Sequence, residues 1–100
     1  MSAHGVYLRI VYVLVNSGEF CGTTLQPTLE YILQYGYSLD ASAIATTVRQ
    51  AMQSLRHDAY TAMLGRMASY NCDLAVLASC ISIADAGTDA LADTLGTLIL

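Results

Sequence analysis

The chain has one hundred residues, enough for one domain with a modest core, and 55% of them are hydrophobic while only 12% are charged. That is more apolar surface than a lone body of this size hides easily, so a partner chain, most simply a second copy, is expected to cover the surplus. Its four cations are all arginines (Arg9, Arg49, Arg56 and Arg66), and the net charge of −4 with no basic cluster excludes an electrostatic footprint for nucleic acid or an anionic membrane.

The first element is "GVYLRIVYVLVNSG", residues 5–18, almost wholly apolar apart from Arg9. Its apolar run is about half the roughly 20 residues of a membrane-spanning helix. It also lacks the basic start and the clear small-residue cleavage site of a signal peptide. Its β-branched and aromatic residues suit a strand. No second strand-like run exists to pair with it, and a solitary strand leaves its backbone groups unsatisfied. The stretch is therefore read as an apolar helix over 6–16, with Val6, Ile10, Val13 and Leu14 on one side and Arg9 beside them.

"TTLQPTLEYILQYGY" predicts a helix over 24–35, capped by Thr23 or Thr24, with Pro27 tolerable in the first turn and Gly36 as its end. Leu25, Leu29, Ile32 and Leu33 make its expected buried face. In the next segment Ile44, Val48, Met52, Leu55, Ala59 and Met63 advance by four or three residues, which predicts one long helix over 40–64. Ser38 or Asp40 would start it and Gly65 would stop it. Asn71 is a candidate cap for a helix over 71–86, whose stripe is Leu74, Leu77, Ile81 and Ala84. Thr88 begins a last helix over 88–98 carrying Leu91, Leu95 and Leu98, with Asp89 suited to the dipole of its first turn. The loops are short, so residues 1–100 read as a single all-α domain, a four- to five-helix bundle expected to be an intertwined homodimer. Leu74, Leu77, Ile81, Leu91 and Leu95 are the candidate interface positions.

Individual residues carry little chemistry. No motif for catalysis is present, and neither a cofactor nor a small-molecule substrate is expected. Cys72 and Cys80 are eight residues apart, unlike the close pairs of zinc hooks, so with His57 they do not predict a metal site. Cys21, Cys72 and Cys80 are an odd number: in an oxidising compartment one of them is a candidate for an intermolecular disulfide, and in a reducing one they are small buried hydrophobes. His57, between Arg56 and Asp58, is the candidate pH sensor, while His4 is expected to be silent in a frayed terminus. With so few charges, Arg9 and Arg49 are the candidates for salt bridges, with Glu30, Asp40 or Asp58 as partners. Seven tyrosines suit an interface, because one edge of the ring is apolar and the other forms hydrogen bonds.

This layout resembles the C-terminal non-repetitive domain of spider silk proteins (spidroins). The resemblance rests on "LRIVYVLVNSG" as a first helix with an arginine and a Ser-Gly end, on "LQPTLEYILQYG" as the second, on "AIATTVRQAMQSLRHDAYTAMLG" as a long central helix ending in Leu-Gly, and on "CDLAVLASCISIADAGTDALADTL" as the close. It implies a five-helix homodimer secreted into the silk gland lumen. Such a module keeps silk chains soluble in storage and helps their ordered self-assembly into fibre as pH, salt and shear change. The family's cysteine before its central helix has no counterpart in "LDASA" here, so that disulfide does not carry over. Arg9 matches the family's paired first-helix arginine, with Glu30 and Asp58 as candidate counterparts. The main alternative is a helical scaffold or regulatory module that binds a partner helix in an apolar groove.

Overall fold

The computed structural model describes residues 2–73 and 75–77. Among them the fold is all-helical: α1 (Ala3–Asn16), α2 (Leu25–Tyr35), a 3₁₀ turn (Gly36–Ser38), α3 (Ala41–Gln53) and α4 (His57–Ser69). The opening stretch is a helix, as its lack of a strand partner implies. It starts three residues earlier than its apolar run because Ser2 caps it, its Oγ accepting the Gly5 amide at 3.2 Å.

The most apolar helix is also the central one. α1 packs against α2, α3, α4 and the 3₁₀ turn. It buries Val6, Ile10, Val11, Val13 and Leu14, a stripe wide enough to touch three neighbours. α2 presents Leu29 and Ile32 to this core, α3 presents Ile44, Ala45, Val48, Ala51 and Met52, and α4 presents Tyr60, Met63, Leu64 and Met67. Full burial of each large side chain contributes roughly 1.5–3 kcal/mol before entropy is counted. Phe20, in the turn between α1 and α2, also enters the core. That turn reverses the chain with Gly18 and Gly22 both at φ 80°, where a side chain is strained.

Four expectations are corrected. The helix predicted over 40–64 is two helices, with Ser54–Arg56 turning the chain between them. Ser54 closes α3, its Oγ donating to Ala51 O at 2.7 Å, and Arg56 is extended. The reason lies in the phase of the stripes: on one straight helix the buried sets of α3 and α4 would point about 100° apart, so both cannot face α1. Gly65 consequently lies inside α4 and stops nothing.

Asn71 ends α4 and does not begin the next helix. At φ 58° it occupies the left-handed position after the helix, where its own amide reaches Ala68 O and that of Cys72 reaches Met67 O. Asp73 is the cap instead, its Oδ1 accepting the amides of Ala75 (2.7 Å) and Val76 (3.3 Å) at the start of the helical residues 75–77. Leu33 is 38% exposed and no part of the buried face: it lies about 40° beyond Leu29 on the side away from Ile32, from which it is about 100° removed. The remainder of the helix predicted over 71–86, and all of that over 88–98, lie outside the described residues.

Candidate functional site

Two tyrosine-bearing surfaces stand out. On α2, turning Leu29 and Ile32 inward leaves Tyr31 and Tyr35 outward, four residues apart. Their ring centroids are 4.9 Å apart and tilted by 45°, and Tyr31 is 55% exposed. Beside them Gln26 Nε2 donates to Glu30 Oε1 at 2.9 Å. The pair forms a short aromatic ridge with a carboxylate near its start.

The second surface runs along the outer side of α1. Tyr70, just past α4, meets Tyr12 edge-on at 5.9 Å. Around them is a hollow of about 420 Å³ bordered by Arg9, Tyr12, Ser69, Tyr70 and Asn71. A second hollow, about 400 Å³, shares Arg9 and Tyr12 and continues to Ser2, Gly5, Leu8 and Tyr37. A third, about 370 Å³, shares Tyr70 and continues to Val13, Asn16, Ser17 and Arg66. The shared residues join the three into one trough that follows Ser2, Gly5, Arg9, Tyr12 and Asn16, one side of a helix. Among the described residues two arginines border it and no carboxylate does.

At one end of the trough lies an unanticipated contact. His4, expected to be silent, sits in the first turn of α1 and donates from Nε2 to Gly36 O at 2.7 Å. Its ring stacks on Tyr37, with centroids 5.8 Å apart and planes inclined by 19°. Gly36 is buried, and a Cβ built on it would strike the Leu8 side chain, so the absence of a side chain lets α1 and the end of α2 approach. The sequence signal was the Gly36 that ends α2; nothing marked His4 as its partner.

The predicted site residues are mostly not brought together. His57 is the exposed first residue of α4, and its ring has no hydrogen bond to a described residue. Glu30, Asp40 and Asp58 are exposed, and none of them pairs with Arg9. Arg9, placed on the outer side of α1, acts on Cys72: burial pushes that thiol above its ordinary value of 9.0, and the guanidinium partly opposes the rise. Arg49 is half-buried on α3. Cys21 is an exposed free thiol and Cys72 a buried one, which makes Cys21 the accessible bridging candidate of the two. Leu77 is 0% exposed and packs in the chain's own core, not on an outer face. Leu74, Ile81, Leu91, Leu95 and Cys80 lie outside the described residues.

Among the described residues no three His, Cys, Asp or Glu side chains converge, and no helix is long and apolar enough to cross a membrane. No family model, curated protein or solved structure matches the chain.

Proposed function

We propose that this chain is a non-catalytic association module that pairs with a second copy and thereby joins longer chains, the role implied by its likeness to silk terminal domains. The observation that supports it is the Tyr31–Tyr35 ridge, two large rings in mutual contact on the outer side of a well-packed helix. A two-fold contact sets such a ridge against itself, burying the ring faces while the hydroxyls keep hydrogen-bonding partners. Pairing through α2 leaves the core untouched and uses apolar surface that a monomer leaves wet.

In this role the module is secreted with the silk chains it joins and keeps them soluble while its net charge is −4. Protonation of both histidines brings that charge to −2, which weakens repulsion between copies. The test is light scattering of the full chain across concentration. A dimer that becomes a monomer on joint Tyr31→Ser and Tyr35→Ser substitution, with helicity unchanged, is the expected result. A wild type that stays monomeric at millimolar concentration overturns the proposal.

A further inference from the structure

We infer that the trough along α1 is a docking site for an acidic peptide segment of a partner protein. The inference uses a different surface from the α2 ridge and does not depend on pairing between copies.

Charge carries it first. Acidic residues outnumber cations eight to four in this chain, yet among the described residues the trough is bordered by Arg9 and Arg66 and by no Asp or Glu. Both arginines are exposed, and Arg9 pairs with none of Glu30, Asp40 and Asp58. A guanidinium offers a planar fork of N–H donors that fits a carboxylate, so an acidic side chain is the complementary partner. An anionic occupant is thus favoured here on a protein that elsewhere repels anions.

Shape selects a peptide over a small anion. The side of α1 from Ser2 to Asn16 is about 21 Å long at 1.5 Å per residue. A small carboxylate would occupy one hollow; only a chain segment spans three. The two arginine-bearing sections are separated by the rise from Arg9 to Asn16, about 10 Å. An extended segment puts alternate side chains on one side roughly 7 Å apart, and flexible arginine stems span the remaining few ångströms. Between the arginines, Tyr12 and Tyr70 present ring surface to apolar residues of the same segment. The partner is therefore a stretch in which acidic and apolar residues interleave.

The probe is a fluorescein-labelled peptide of alternating glutamate and leucine, titrated with the full chain and followed by anisotropy. Saturable binding is expected, weakened at least about tenfold by joint Arg9→Glu and Arg66→Glu substitution and by added salt. Far-UV circular dichroism should not change, because both side chains are exposed. Tyr31→Ser with Tyr35→Ser should leave this binding intact, which separates the trough from the ridge. Should the charge-reversed protein fail to fold, Arg9→Gln with Tyr12→Ser replaces it, with the same loss expected. The inference is overturned by an absence of saturation up to millimolar protein, by equal binding of a peptide with lysine in place of glutamate, or by wild-type affinity in the arginine variant. It is also overturned if that variant loses its dimer, because the trough would then belong to a second copy.

Discussion

The outer sides of α1 and α2 both carry tyrosines, but their surroundings differ in kind. The α2 ridge is two rings in contact beside a Gln26–Glu30 hydrogen bond, on one helix and within ten residues of sequence. The α1 trough is assembled from distant parts: Arg9 and Tyr12 from α1, Tyr37 from the turn after α2, and Arg66 and Tyr70 from the end of α4. The ridge is self-complementary without needing an opposite charge. The trough has cations and, among the described residues, no acids, which favours an anionic complement. Similar residue types thus make surfaces of different chemistry according to what the fold places next to them, and of these two only the ridge depends on local sequence alone.

The largest expected disruption strikes the helix behind the trough. Ile10→Ala removes a fully buried side chain from the central helix and should cost about 2–5 kcal/mol in urea unfolding, abolishing the trough before the ridge. Next is Gly36→Val, which forces a branched side chain against Leu8 where α1 and α2 meet. Overpacking of about 1–3 kcal/mol is expected. Because Leu8 borders the trough, peptide affinity should fall while the Tyr31–Tyr35 contact is retained.

A smaller effect sharpens the contrast through pH. The Cys72 thiol is raised by burial, so its contribution to stability is complete below the ordinary value of 9.0 and is lost as pH rises through the higher native value. The stability difference between wild type and Cys72→Ala should be constant from pH 6 to 8 and shrink at alkaline pH. Arg9→Gln removes the opposing attraction and should extend that decline to still higher pH and deepen it, with its onset near 9.0 unchanged, whereas Tyr31→Ser should not alter it. Smallest are the single substitutions Tyr12→Ser and Tyr31→Ser, each expected within about 0.5 kcal/mol in monomer stability. Their separate effects on peptide affinity and dimer mass decide whether the two surfaces are independent.

Much of this fold is readable in local pattern. Val6, Ile10, Val13 and Leu14 announce the buried side of α1, Leu29 and Ile32 that of α2, and Ile44, Val48 and Met52 that of α3. The break at Ser54–Arg56 was hidden because Leu55 and Ala59 bridge two stripes and simulate one. The register that mattered was Tyr60, Met63, Leu64 and Met67, a fresh i, i+3, i+4, i+7 series. Asn71 shows a different ambiguity: asparagine suits both the start of a helix and the left-handed residue after one, and the Asp73 side chain settles it. The trough was not legible at all. Its residues span Ser2 to Asn71, and pairings such as Tyr12 with Tyr70 or His4 with Gly36 arise from packing, not from any spacing along the chain.

The joint at Ser54–Arg56 carries one more implication. α4 is a separate rod held against α1, and its end supplies one wall of the trough, so any excursion that lifts this rod dismantles the groove. A bound ligand would act as a latch across the two helices. Amide hydrogens of α4 should then exchange more slowly in proportion to occupancy, while those of α2 keep their own pace.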